Sequence, residues 1–221
     1  MPRTRVKICC IKSPDEARIA VSLGADAIGL VGKMPSGPGV ISDDAITEIA
    51  SLVPPPIGTF LLTSETTADA IVAHCRRAKT SSVQIVDYVD EREYRKIRAE
   101  LPWMKLVQVI HIEDESAIAR ARRLSGFVDA LLLDSGSPNG DVKILGGTGK
   151  THNWKISREI VGAVDVPVFL AGGITPGNVR EAVETVHPYA VDVCTGVRTN
   201  GNLDRLKVEA LFRELERTIG G

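Results

Sequence analysis

Two side chains in this 221-residue chain are placed to do acid–base chemistry. Cys9 closes the apolar run Val6-Lys7-Ile8-Cys9, and Asp134 closes Ala130-Leu131-Leu132-Leu133-Asp134. A thiol at a strand end serves as a general base when its pKa is lowered, or as a nucleophile. Its bland alternative is a small buried hydrophobe. A carboxyl at the C-terminal end of a buried parallel strand stands where α/β barrels place their chemistry, and otherwise it caps a turn. Gly172-Gly173 and Thr195-Gly196 follow the last two apolar runs. Such loops let backbone N–H groups approach phosphate oxygens, although ordinary tight turns have the same composition. Gln84, within one further run, and His111, at the end of another, would line the same rim. Cys10 alternates away from Cys9 if the strand continues, so a structural role is expected for it.

These residues converge only if the runs are strands of one sheet. Eight segments repeat one form: a short apolar run, a loop, then a helical pattern. The strands are expected at Val6–Cys9, Ala27–Val31, Ile57–Leu62, Ser82–Val86, Lys105–Ile110, Ala130–Asp134, Val166–Ala171 and Val191–Cys194. Ser13-Pro14-Asp15-Glu16 has a capping residue, a proline at the first helical position and a glutamate three after the cap, the pattern of a capping box. Ser42 and Thr175-Pro176 open helices by the same logic, and Pro54-Pro55-Pro56 terminates one. Eight strand–helix units in this length predict an α/β fold, a single (β/α)8 TIM barrel domain over residues 1–221. A doubly wound open sheet would have fewer units and often a dinucleotide fingerprint, and no G-x-G-x-x-G follows an early strand.

Composition narrows the function classes. The net charge is −1 with both signs interspersed, which argues against a nucleic-acid partner. No apolar run suffices to span a membrane, and no signal peptide is evident, so a cytoplasmic location is expected. The four cysteines show no zinc spacing and suit free thiols. His111 and His152 have no ligand partners at useful spacing, so no metal is expected. His74 and His187 read as ordinary helix or loop residues, and Arg120, Arg122 and Arg123 as a solvated helix face. Gly146-Gly147-Thr148-Gly149-Lys150 lacks the full Walker spacing and suits a lid that excludes water. A homodimer is possible, since apolar patches on barrel helices serve as core or as interface.

Taken in order, Val6-Lys7-Ile8-Cys9 with Ile11, Leu132-Leu133-Asp134-Ser135, Gly146 to Thr151 with Trp154, Leu170-Ala171-Gly172-Gly173-Ile174 with Asn178-Val179, and Val191-Asp192-Val193 with Gly196-Val197 resemble the phosphoribosylanthranilate isomerase family of tryptophan biosynthesis. The resemblance spans nearly the whole chain. It implies an Amadori rearrangement of a small phosphorylated sugar substrate, with no cofactor. It also implies that Cys9 is the general base, that Asp134 is the general acid, and that Gly172, Gly173, Thr195 and Gly196 bind phosphate.

Several positions depart from the family pattern. Cys10 replaces a glycine, Val86 a histidine, His152-Asn153 a Phe-Asp pair, and Cys194-Thr195 with Arg198 a motif that usually reads S-S-G-V-E. The loop from Gly32 to Ile41 lacks the arginine that meets the anthranilate carboxylate, so Lys33 or Arg198 is expected to replace it, with Gln84 nearby. These changes leave two alternatives to the family activity: isomerisation of another phosphorylated aminosugar or ketose, or phosphate binding without catalysis.

Overall fold

A computed structural model describes residues 3–35, 37–135 and 151–217. Eight parallel strands close into a barrel in chain order. They are β1 (Arg5–Ile8), β2 (Ala27–Val31), β3 (Gly58–Thr63), β4 (Ser82–Ile85), β5 (Lys105–His111), β6 (Ala130–Asp134), β7 (Val168–Leu170) and β8 (Ala190–Val193). The helices between and after them are α1 (Pro14–Ser22), α2 (Asp43–Leu52), α3 (Ala68–Ala78), α4 (Glu91–Glu100), α5 (Ser116–Ser125), α6 (Trp154–Ala163), α7 (Val179–Val186) and α8 (Arg205–Arg217). The expected (β/α)8 barrel is therefore the observed fold.

The strand sequences are apolar on both faces because both faces are covered. One set of residues, including Val83, Ile85, Ile110, Leu131 and Leu133, packs outward against the helices. The alternate set fills the barrel with Phe60, Leu62, Val107, Val109, Leu132 and Phe169. The rings of Phe60 and Phe169 meet inside with centroids 5.8 Å apart. Barrel closure joins β1 to β8 with Lys7 opposite Asp192 and Ile8 opposite Val193.

Local signals behave as their chemistry predicts, with three differences. Ser13 Oγ accepts from the Glu16 N–H and Pro14 starts α1, but Glu16 does not complete a capping box. Its carboxylate instead accepts from the N–H groups of Lys12 and Leu203, at 2.9 Å each, and pairs with Arg198. Strand β7 is shorter than expected because Pro167 has no N–H for the ladder, and only its carbonyl pairs, with the Leu131 N–H. A hairpin of β9 (Arg198–Thr199) and β10 (Asn202–Leu203) precedes α8 and was not anticipated. Its turn is Asn200-Gly201, both with positive φ, a dipeptide that favours two-residue hairpin turns.

The loop after β8 lies hard against the loop after β7. A Cβ at Gly196 would come within 1.9 Å of the Ile174 carbonyl oxygen and 3.0 Å of the Thr175 Cα, both backbone atoms that cannot swing aside. Gly196→Ala is therefore expected to destabilise the protein by about 2–3 kcal/mol. Urea unfolding measures this, and an unchanged midpoint would show that the two loops have room to separate.

Candidate active site

Cys9 leaves β1 with its N–H bonded to the Val193 carbonyl at 2.8 Å, and its side chain faces the barrel interior. Opposite stands Gly29 of β2. A Cβ there would meet the Cys9 sulfur at 2.7 Å and Lys7 Nζ at 3.0 Å. The missing side chain thus leaves room for the thiol and the ammonium to share one small volume. Lys7 is fully buried and donates to Asp192 at 2.9 Å. Burial alone would pull the ammonium down, but the charges of Asp192 and of a Cys9 thiolate outweigh it, and Lys7 is held above its ordinary range. The Cys9 thiol is lowered, first because the Cys10 thiol donates to its sulfur, against the opposing effect of burial, and then by the Lys7 charge. The surroundings therefore favour the thiolate of Cys9 more than those of an ordinary cysteine do.

Cys10 departs from its expected outward orientation. Its φ of +62° is the left-handed conformation that glycine adopts freely, and it turns the side chain back into the interior cluster. There its thiol meets those of Cys194 and Cys9, and these contacts together with burial push it well up.

Asp134 ends β6 beside His111 of β5. Loss of solvation raises its carboxyl, partly offset by the Ser135 N–H that donates to Oδ1 at 2.7 Å. Asp134 as a residue is only partly buried, at the barrel mouth. His111 Nε2 donates to the Val86 carbonyl at 2.9 Å, so Nδ1, buried and with no partner among the described residues, is the free atom. Gln84 is buried, and its Oε1 also lacks a partner among them.

Gly172 and Gly173 both have positive φ, and Asn178 holds their loop by accepting from the Thr175 N–H and donating to the Gly173 carbonyl. A Cβ at Gly172 would touch Asp134 Oδ1 and His152 Nδ1, each at 3.1 Å, so the glycine lets the acid and this imidazole face one another. His152, read from the sequence only as a lid residue, bonds Ser157 Oγ through Nε2 at 2.7 Å. Loss of hydration brings its pKa down to about 4, so it is neutral at pH 7. Thr195 and Gly196 form a short 3-10 turn, Thr195–Val197, after β8.

The two expected aryl cations differ in setting. Lys33 is exposed at the end of β2. Arg198 is buried, with Nη1 and Nη2 on Glu16 at 2.9 and 3.0 Å and further bonds to the Gly201 and Cys10 carbonyls. His74, expected to be ordinary, is buried between Thr63 and Asp43 and packs beneath Gly32 at the start of the β2 loop. Arg120 is not simply solvated, since it stacks on the Tyr88 ring at 4.7 Å. The lid segment Gly146–Lys150 lies outside the described residues. Among the described residues no cluster of His, Cys, Asp and Glu could hold a metal, and no helix is long and apolar enough to cross a membrane.

The family profile described as N-(5'phosphoribosyl)anthranilate (PRA) isomerase matches residues 6–214. This chain belongs to that family. The N-(5'-phosphoribosyl)anthranilate isomerase of Methanocella arvoryzae is 37% identical over 214 residues, covering 97% of this chain and 98% of its own. That of Haloferax volcanii is 37% identical over 219 residues, covering 99% and 95%. Among solved structures, phosphoribosyl anthranilate isomerase from Thermotoga maritima superimposes with a TM-score of 0.80 at 26% identity, covering 97% of this chain and 99% of its own. A thiamine phosphate pyrophosphorylase from Pyrococcus furiosus reaches 0.69 at 19% identity. The barrel alone therefore does not specify the chemistry, and the family assignment rests on sequence.

Within the isomerase family frame, sequence reasoning missed Lys7 and Asp192 as parts of the site. Both lie within motifs already noted, and the signal was a lysine and an aspartate facing inward on strands that read as wholly buried. Lys7→Met would strand a buried carboxylate and is expected to cost about 3–5 kcal/mol in urea unfolding. The double variant Lys7→Met/Asp192→Leu is expected to recover most of that loss. The lost Lys7 charge acts on Cys9 more strongly than the lost Asp192 charge, so alkylation of Cys9 by iodoacetamide in the folded double variant should need higher pH. Unshifted alkylation would remove Lys7 from the groups that favour the thiolate.

Proposed function

We propose that the protein catalyses the Amadori rearrangement of N-(5'-phosphoribosyl)anthranilate to 1-(2-carboxyphenylamino)-1-deoxyribulose 5-phosphate, a step of tryptophan biosynthesis. The observation that carries this reading is the opposed pair on one rim, a thiol biased toward thiolate over Lys7 and a carboxyl biased toward its protonated form. That is the assignment a base and an acid need near neutral pH. Protonated Asp134 gives its proton to the ribose ring oxygen, and the ring opens to an iminium. Cys9 thiolate then removes the C2 proton, and the resulting enolamine tautomerises to the ketose. His111 Nδ1 and Gln84 Oε1 accept hydrogen bonds from sugar hydroxyls. Backbone N–H groups at Gly172, Gly173, Thr195 and Gly196 receive the phosphate.

Lys33 is the residue we assign to the anthranilate carboxylate. Arg198 is less suited, because Glu16 and backbone carbonyls already hold its guanidinium. The missing arginine in the loop from Gly32 to Ile41 favours one further reading, a different phosphorylated aminosugar on the same acid–base pair.

Loss of the substrate's fluorescence on mixing with purified protein decides between them. Turnover of phosphoribosylanthranilate is expected, and its absence would favour the other aminosugar. Asp134→Asn and Cys9→Ala are each expected to lower kcat by about a thousandfold with little change in KM. A near-normal rate in either variant would reduce that residue to packing. Lys33→Ala is expected to raise KM about tenfold, the scale of one charge-assisted hydrogen bond, with a smaller effect on kcat.

A further inference from the structure

Three of the four cysteines meet at the barrel mouth, where β1 ends against β8. The pairing of Ile8 with Val193 continues through the Cys9 N–H to the Val193 carbonyl, so the chain segments holding Cys9-Cys10 and Cys194 run side by side. The register puts Cys194 across from Cys9 and diagonally from Cys10. With strands roughly 4.8 Å apart and a rise of about 3.3 Å per residue, the Cys10–Cys194 diagonal is roughly 6 Å, within the Cα separations that a disulfide spans. The left-handed backbone at Cys10 turns its side chain over this row, into hydrogen-bond contact with the Cys194 thiol. Cys10 and Cys194 stand where the family motifs have glycine and serine, so neither thiol is required by the common chemistry.

Access and geometry single out one pair. An open cavity of about 320 Å³ is lined by Cys10 together with Lys12, Gly39, Thr195 and Arg198. Cys194 is the most exposed of the three thiols, whereas Cys9 and Cys10 are buried. Bonding Cys9 to Cys10 would close a small ring through a trans peptide, a strained arrangement. Cys10 and Cys194 have no such restriction, and although Cys194 stands across from Cys9, its thiol contact is with Cys10.

We propose that Cys10 and Cys194 form a reversible disulfide that switches off the neighbouring Cys9. The oxidant is a low-molecular-weight disulfide. The Cys194 sulfur attacks it, giving a mixed disulfide and releasing one thiol. The Cys10 sulfur then attacks the Cys194 sulfur, its proton passes through Cys9 to the departing sulfur, and the second thiol leaves. Two protein thiols are oxidised and one external disulfide is reduced. Cys10 afterwards has no S–H to donate to the Cys9 sulfur. The loss of activity rests on the reading of Cys9 as the base, whereas the disulfide itself does not.

The test is incubation of the whole protein with oxidised glutathione, followed by iodoacetamide, trypsin and mass spectrometry. The expected product is the Ile8–Lys12 peptide joined to the peptide containing Cys194, with fragmentation placing the bond on Cys10 and the alkyl group on Cys9. Turnover is expected to fall about tenfold or more, the scale of one hydrogen bond lost from a charged sulfur, and to return with dithiothreitol. Cys194→Ser, and Cys10→Gly with its relaxed backbone, are expected to keep their own untreated activity in oxidised glutathione. Alkylation of all four cysteines after treatment, or a bond to Cys9, would overturn the disulfide. A Cys10–Cys194 bond with undiminished turnover would overturn the switch. Absence of turnover in the fully reduced protein would count against the isomerase reading alone, because the peptide map still decides the disulfide.

Discussion

The ion pair between Lys7 and Asp192 sits inside the barrel at the seam where the first strand meets the last. Taking both charges out of water costs several kcal/mol per ion, which their attraction recovers only with good geometry. A pair of apolar side chains would close the seam at lower cost. What the ion pair supplies instead is a fixed positive charge two residues below Cys9 on the same face of β1. The Gly29 gap in the next strand brings that charge up to the sulfur. The seam and the setting of the Cys9 sulfur are therefore one construction.

The rim is divided electrostatically by this arrangement. Around β1, β2 and β8, a buried ammonium and a thiol donor favour negative charge on sulfur. Around β5, β6 and β7, burial disfavours negative charge on Asp134, and the neutral His152 adds none. Two groups whose ordinary pKa values lie in the wrong order for a base and an acid at neutral pH are thus moved toward each other. Burial produces the shift of Asp134, and neighbouring groups produce that of Cys9 against burial, both on a rigid barrel.

Arg198 illustrates how one substitution acts through structure. Where the family motif has glutamate, this chain has an arginine, and Glu16 at the start of α1 takes it in a buried pair. Burial opposes ionisation of Glu16, but Arg198 and the N–H groups of Leu203 and Lys12 hold its carboxyl below the usual range. The guanidinium also binds the carbonyls of Cys10 and Gly201, so it ties the end of β1 to the β9–β10 hairpin. Its bond to the Cys10 carbonyl steadies the left-handed turn there.

The barrel was legible in the sequence because its causes are local: apolar runs of strand length, serine and threonine caps, and proline stops. Cys9 and Asp134 were legible because each ends such a run, and the glycine pairs because a glycine needed for close approach leaves its mark in sequence. The Asn200-Gly201 turn was equally local and was overlooked. The Lys7–Asp192 pair, the approach of His152 to Asp134 and the turning of Cys10 into the site were not legible. Each joins residues that are distant in sequence, or depends on one backbone angle, and hydrophobic periodicity records neither. Cys10 shows the boundary most clearly. By sequence alone it alternates outward, and only the left-handed turn at the end of β1, with β8 alongside, places its thiol between Cys9 and Cys194. The sequence by itself determined the barrel and the residue types on its rim. The tertiary structure decided which charges share a volume, because electrostatic effects follow distance through space and not separation along the chain.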